Sequence, residues 1–187
     1  NTRGRIVSAA WKLFYEQGYE DTTVEEIIEL SGTSKGSFYH YFDGKDALLS
    51  TLSSLFDEKY EELTGLLTPE MTAMEQLLFL NRELFHMIED SISLDLLARL
   101  YSTQLTTNGE KHLLDHNRIY YKLLRKIIAK GQAEGQLSSR SNVNEMVKLY
   151  ALCERALLYD WCLCAGEYAL TEYSAKVLPG FLSSFLP

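Results

Sequence analysis

Apolar residues recur at helical spacing along almost the whole chain, and no stretch settles into the alternation of a strand. Ile6, Ala9, Ala10, Leu13 and Phe14 make one such stripe. Leu48, Leu49, Leu52, Leu55 and Phe56 make another. Leu113, Leu114, Tyr120, Leu123, Leu124, Ile127 and Ile128 make a third. Only 3 Pro and 11 Gly interrupt 187 residues. The expected fold is therefore all-α, with about nine helices. No apolar run is long enough to span a bilayer.

Local signals place the helix ends. The first helix covers residues 3–17 and stops at Gly18. Thr23 caps the second, with Glu26 closing a capping box, and it runs from Val24 to about Leu30, burying Ile27, Ile28 and Leu30. Gly32 turns the chain and Ser34 caps a third helix. Asp43 is expected to cap a fourth, from about Lys45 to Leu66, and Thr68 a fifth, with Pro69 at its first position, to about Glu89. Further helices are expected over 94–105, 111–133, 143–165 (capped by Asn142) and 171–185, the last interrupted by Pro179. The boundary between a small head and a larger helical body falls near residue 48, giving domains 1–48 and 49–187.

The N-terminal "NTRGRIVSAAWKLF" is amphipathic and has no signal-peptide core, so a cytoplasmic protein is expected. Three cysteines make no disulfide framework. Cys162 and Cys164 lie about 200° apart on a helix, and Cys153 and Cys164 about 16 Å apart along its axis. All three read as small packing groups, with a redox or metal role as the alternative. No zinc-protease, P-loop or serine-hydrolase motif is present, which argues against an enzyme and against a metal or other cofactor.

The net charge is −8 and the isoelectric point about 5.0. That excludes a general polyanion binder, so nucleic-acid binding would need a local arrangement. "SKGSFYHYF", Ser34–Phe42, supplies one. Two short helices joined by a tight Gly-containing turn make a helix-turn-helix. On a wheel, Phe38 and Phe42 fall together, with Tyr41 on their flank. Gly36 and His40 fall opposite, Ser37 lies between the faces, and Lys35 and Tyr39 share the other flank. One side is a core of rings. The other is a polar face with bare backbone, suited to a DNA groove: Lys35 can reach a base edge or phosphate, and Tyr39 and His40 can donate to phosphates. Lys45 stands in the first turn of its expected helix, where a cation is disfavoured unless a phosphate is near.

"TTVEEIIELSGTSKGSFYHYFDGKDALL", residues 22–49, resembles the DNA-binding signature of the TetR-type transcriptional regulators. The order of the preceding "FYEQGYEDTTV", the Thr-capped helix, "G-x-S-K-G-S-F-Y-x-Y-F" and "K-D-A-L-L" carries the likeness. The resemblance implies a three-helix DNA-binding head followed by a helical ligand-binding and dimerisation domain. Lys35, Gly36, Ser37, Tyr39 and His40 would face the groove, Thr23 and Lys45 would contact phosphates, and Thr33 and Ser34 would sit at the turn. Arg3 and Arg5 would form an arm to DNA. The head departs from a basic reader: Arg3, Arg5, Lys12, Lys35 and Lys45 stand against eight carboxylates (Glu16, Glu20, Asp21, Glu25, Glu26, Glu29, Asp43, Asp46), a local net of −3. These carboxylates are expected to face away from the groove.

In the family the last two long helices form a homodimer interface. Tyr150, Leu157, Leu158, Leu178, Phe181, Leu182 and Phe185, with Val147, Ala151 and Trp161, are suitable material for it, the alternative being that they complete the chain's own core. A two-fold dimer would set two reading helices about 34–36 Å apart on a near-palindromic double-stranded DNA operator. The family's central helices enclose a small-molecule effector. Phe85, His86, Tyr101, His116, Tyr120, Tyr121 and Trp161 are candidates to line that pocket. The expected function is a ligand-responsive DNA-binding regulator, a homodimeric repressor released by a small molecule. The alternative is a helical ligand-binding or scaffolding protein whose head does not read DNA specifically.

Overall fold

A computed structural model describes the whole chain, residues 1–187. Nine α-helices account for it, with three short 3-10 segments and no strand. They are α1 (Thr2–Gln17), α2 (Val24–Ser31), α3 (Lys35–Tyr41), α4 (Leu52–Thr64), α5 (Ala73–Ser91), α6 (Leu94–Thr106), α7 (Ile119–Ala133), α8 (Val143–Leu163) and α9 (Leu170–Phe181). The chain divides into two compact units. One holds residues 1–55 and 95–113, the other 56–94 and 114–187. No helix is long and apolar enough to cross a membrane.

In the first unit, Ile6, Ala9, Ala10 and Phe14 of α1 pack with Ile27, Phe38, Phe42, Leu48 and Leu49. Burial of such side chains contributes roughly 1.5–3 kcal/mol each, which lets an α3 of seven residues persist. Leu96 of α6 closes this core, a contribution that residues 1–48 alone do not contain. Of the residues expected inside from α2, only Ile27 is fully buried. Ile28 is half-buried and Leu30 is 46% exposed, because eight residues present one narrow stripe to α1 and α3.

Several helix ends differ from expectation, each for a local reason. Asp43 caps nothing: the chain enters a 3-10 helix, Asp46–Thr51, through Lys45 without a side-chain cap, and α4 starts only at Leu52. Thr68 is displaced as a cap by Thr72, whose box partner Glu75 stands at the required third position, whereas the third residue after Thr68 is Met71. α7 begins at Ile119 rather than Lys111. The "DHNR" segment turns instead, with the Asn117 amide donating to Asp115 at 2.9 Å, and Arg118 then pairs with Asp57 at 3.0 Å. α9 ends at Phe181, two residues past Pro179.

The second unit is held by polar contacts as well as by its apolar core. α9 has no cap of its own. Glu89 of α5 supplies it, accepting from the Leu170 amide at 2.6 Å and from the Thr171 hydroxyl at 2.8 Å. Gly131 of α7 lies against α5 and the following loop. A β-carbon there would stand 2.6 Å from Ala73 Cβ and 2.8 Å from Leu137. Gly131→Ala is therefore expected to lose roughly 1–3 kcal/mol by overpacking, despite alanine's better helix propensity. A urea midpoint equal to or above that of the parent would contradict this close approach.

Candidate nucleic-acid interface

The helix-turn-helix is built by two caps. The Thr23 hydroxyl accepts from the Glu26 amide at 3.2 Å, and the Glu26 carboxylate accepts from the Thr23 amide at 2.8 Å. The bond from the Thr23 backbone holds the Glu26 carboxyl below its ordinary range. Gly32 adopts φ +61°, ψ +35°, the left-handed conformation that turns α2 into α3 with little penalty for glycine. The Ser34 hydroxyl caps α3, accepting from the Ser37 amide at 3.1 Å and donating to the Ser37 hydroxyl at 2.9 Å. Thr33 bonds the Ser31 hydroxyl at 2.7 Å. The hydroxyls of Thr23, Thr33, Ser34 and Ser37 thus all have structural partners within the motif.

α3 divides as its wheel requires. Phe38 is fully buried and Phe42 nearly so. Lys35, Gly36, Tyr39, His40 and Tyr41 are exposed, and Ser37 is half-buried. Tyr39 leans edge-on against Phe38 at 5.1 Å, which steadies its ring while leaving the hydroxyl end outside. Gly36 is open. A β-carbon would meet only the Ser34 hydroxyl, at 3.9 Å. Nothing in the chain's own packing requires glycine there, so the bare backbone is a property of the outward face. Gly36→Ala is expected to raise stability by a few tenths to about 1 kcal/mol through helix propensity. Measured on the same protein, affinity for a specific duplex is expected to fall, because the methyl separates the helix from the groove. Unchanged duplex affinity would remove Gly36 from the contact face.

The arm residues lie beside this unit, within the opening turns of α1. The Arg3 guanidinium sits 5.4 Å from the Phe42 ring centre, and Arg5 Nη1 lies 4.0 Å from a β-carbon built on Gly32. Both cations are exposed. Lys45 is placed differently from the phosphate contact expected of it. Its ammonium donates to the Tyr19 carbonyl at 2.8 Å and lies 4.3 Å from the Tyr19 ring centre. Arg99 of α6 stands 4.8 Å from the same ring and pairs with Glu20 at 2.6 Å, while the Tyr19 hydroxyl bonds Asp46. Lys45 is thus a packing cation of the head. Three carboxylates of the acidic head are also committed, Glu20 to Arg99, Asp46 to Tyr19 and Glu26 to its cap.

Of the residues expected to line a ligand pocket, His116 and Tyr121 meet at one cleft, and the set as a whole does not converge. Phe85 and Trp161 are buried, and the Trp161 indole donates to the Tyr168 carbonyl at 2.9 Å. His86 is exposed beside Asp90 at 3.1 Å. Tyr101 belongs to the first unit. His116 lies flat on Tyr121, ring centres 4.5 Å apart. Tyr120 stacks on Tyr60 at 4.9 Å and bonds Glu154. All three cysteines are free thiols, and burial pushes Cys162 up to about 11.

Glu154 was not among the expected residues, although it lies on the same side of α8 as Tyr150, Leu157, Leu158 and Trp161, a carboxyl on an apolar face. It is buried, and no cation pairs with it. Tyr120 donates to it, Asn81 donates at 2.9 Å, and Ser174 bonds Asn81 in turn at 2.7 Å. The Tyr150 hydroxyl, which donates to the Leu77 carbonyl at 2.7 Å, lies against the same carboxyl. Burial raises Glu154 from 4.5 to about 6 against the pull of these donors. The folded state therefore binds this proton more tightly than the unfolded one. Its stabilisation is complete below pH 4.5 and is lost as pH rises through about 6, on the order of 2 kcal/mol in all. Glu154→Gln is expected to remove that slope: the difference between variant and parent in unfolding free energy grows in the variant's favour from pH 4.5 to 7. Parallel curves would contradict the buried acid.

The expected dimer residues are mostly interior. Tyr150, Leu157, Leu158, Leu178, Leu182 and Phe185 are all buried within the second unit, so they complete this chain's own core. Phe181 alone of the seven is exposed, at 52%. Apolar groups that remain bare on these helices include Leu152, Ala156, Tyr159 and Leu163 of α8, at helical spacing, and Tyr173 and Phe181 of α9.

Residues 6–52 match the model of a family described as bacterial regulatory proteins, tetR family. The chain is 36% identical over 62 residues to the HTH-type transcriptional regulator QacR of Staphylococcus aureus, covering 33% of each protein. It is 23% identical over 178 residues to the fatty acid metabolism regulator protein of Bacillus subtilis, covering 93% of this chain and 90% of that one. The fold superposes on Thermus thermophilus FadR, a TetR-family transcriptional repressor in complex with lauroyl-CoA, with a TM-score of 0.78 and 26% identity over 99% of this chain and 95% of that one. The chain spans 28%, 22% and 33% of the length of three curated relatives that it matches through its head. Residues 6–52 are thus similar to the DNA-binding region of the tetR family of bacterial regulatory proteins, and the fold of the whole chain follows that of Thermus thermophilus FadR.

Proposed function

We propose that the protein is a cytoplasmic, homodimeric DNA-binding transcriptional regulator, a repressor that occupies a near-palindromic operator and is released when a small molecule binds its second unit. It is not an enzyme. The division is between a reading head, residues 1–48, and a regulatory and dimerisation part, residues 49–187. The observation that carries this reading is the outward face of α3, where Lys35, Gly36, Tyr39 and His40 stand exposed on a capped helix clamped from behind by Phe38. Arg3 and Arg5 flank it as contacts to the DNA backbone, and Thr23, Thr33 and Ser34 meet phosphates at the turn by exchanging the partners their hydroxyls have within the motif. Lys45 supports the head through Tyr19.

The bare stripe on α8 and its neighbours on α9 are the proposed two-fold interface. An exposed run of Leu152, Ala156, Tyr159 and Leu163 is an association surface rather than a stable solvated one. A coupling of roughly 1–3 kcal/mol between the effector site and the spacing of the two heads is sufficient for release. Selection from a randomised duplex pool at two salt concentrations tests the reading. Enrichment of a near-palindrome that weakens steeply with salt supports it. A protein that enriches nothing at either salt is a ligand-binding or scaffolding protein instead.

A further inference from the structure

A cleft of about 490 Å³ opens in the second unit beside the Tyr121 ring, with Leu114 and His116 before α7 on one side and the first four turns of α8 on the other. That volume suits a small organic ligand. Lys148 and Arg155 both line it, and neither is in an ion pair. The one acid on its wall, Glu145, is committed to the capping box with Asn142, at 3.3 and 2.9 Å. In a chain of net charge −8, two cations outside any ion pair on one concave wall are an unusual concentration. Across from them His116 lies flat on Tyr121, the planes 20° apart, so the cleft already carries a stacked pair of rings.

We propose that this cleft binds a small organic anion that carries a flat ring. The acid group lies between Lys148 and Arg155, and the ring extends the His116–Tyr121 stack. The cleft lies beside the bare stripe of α8, not on it. Residues 144, 148, 151 and 155 centre about 80° round the helix from residues 152, 156, 159 and 163, so an interface on the stripe leaves the cleft open.

The site also stands back to back with the buried carboxyl. Arg155 Nη1 donates to the Tyr121 hydroxyl at 3.1 Å, while the residues next to each, Glu154 and Tyr120, are bonded to one another. An anion that draws Arg155 off Tyr121 therefore acts on the two helices that meet at Glu154. This inference names the effector class for the ligand-responsive reading and rests on that reading only for its consequence at DNA.

The test is calorimetry on the full chain without DNA, with 2-naphthoate and adenosine monophosphate as anionic ring probes and 2-naphthamide as the neutral control. At least one anion is expected to bind at micromolar to millimolar concentration, and the amide at least about tenfold more weakly, since hydrogen bonds to charged groups contribute more than neutral ones. Arg155→Gln is expected to weaken the binding anion about tenfold or more, and Lys148→Gln several-fold. Arg155→Lys restores part of the loss. His116→Ala weakens whichever anionic probe binds. Binding of 2-naphthoate alone assigns the cleft to aromatic acids; binding of the nucleotide alone assigns it to nucleotides. If neither binds, or if binding ignores both Arg155→Gln and Lys148→Gln in variants with the parent's thermal midpoint, the proposal fails. A probe that binds through these residues but does not release the protein from its selected duplex leaves the cleft standing and removes induction.

Discussion

Replacing Lys35 and Tyr39 together by alanine is expected to abolish specific duplex binding while leaving the fold intact. Both side chains project from α3 into solvent, and Tyr39 contributes only an edge contact to Phe38. Surface substitutions of this kind shift stability by roughly 0.5 kcal/mol, a little more for the lost ring contact. The effect on DNA is much larger. A two-fold dimer presents each residue twice, so four contacts disappear. At about 1 kcal/mol for each, the loss is on the order of a thousandfold. Because one lysine per head no longer neutralises a phosphate, the salt slope is also expected to become shallower by roughly two. Tyr39→Phe separates the hydroxyl from the ring, and should lose the phosphate bond while keeping the packing. Circular dichroism and a denaturation midpoint establish the fold. Full affinity in a folded double variant would place the interface elsewhere on the head.

Charge placed on the bare stripe of α8 is expected to do comparable damage from the other unit. Leu152→Glu with Tyr159→Glu puts two carboxylates on a face that is exposed in one chain and buried in the proposed pair. Neither side chain fills the chain's own core, so the single chain should keep its helical content. Sedimentation is expected to show a monomer. Affinity for a near-palindromic duplex should then fall by roughly 10²–10⁴, because the second head no longer binds at the effective concentration that the dimer provides. The contrasting pair, Leu157→Glu with Leu158→Glu, points into the unit's own core and should unfold it, since an unpaired buried charge is strongly destabilising. If the stripe variant remains a dimer, association uses a different surface.

The head was legible from sequence because the interactions that shape it are local. The Thr23–Glu26 box spans three residues, as does the Ser34–Ser37 cap, and one wheel of α3 separates Phe38 and Phe42 from Lys35, Gly36, Tyr39 and His40. The body was less legible for the opposite reason. α8 is apolar over most of its circumference, so a count of apolar residues cannot tell Leu152 and Tyr159, which are bare, from Leu157 and Leu158, which the same chain covers. Only the positions of α5, α7 and α9 decide that. The cap of α9 by Glu89 joins residues 81 and 82 apart, and the Asn81–Glu154 bond joins residues 73 apart. Neither leaves a mark in a window of one helix. Lys45 has a partner that the sequence pattern does not show. Its place after α3 is compatible with a phosphate contact, but the Tyr19 ring and carbonyl supply the partner from the chain itself.

The acidity of the head bears on the central claim, that recognition comes from a small set of contacts made twice and not from bulk charge. With Lys45 bonded to the Tyr19 carbonyl, Arg3, Arg5 and Lys35 are the cations placed around α3, which makes six in a dimer. The direct test is the affinity of the full chain for a selected near-palindromic duplex and for its scrambled counterpart, each measured across salt. The account predicts two chains per duplex and a slope of log affinity on log salt no steeper than about −5. It also predicts a preference over the scrambled duplex of at least roughly a thousandfold. Equal affinity for both duplexes, falling with salt along one common line, would contradict it.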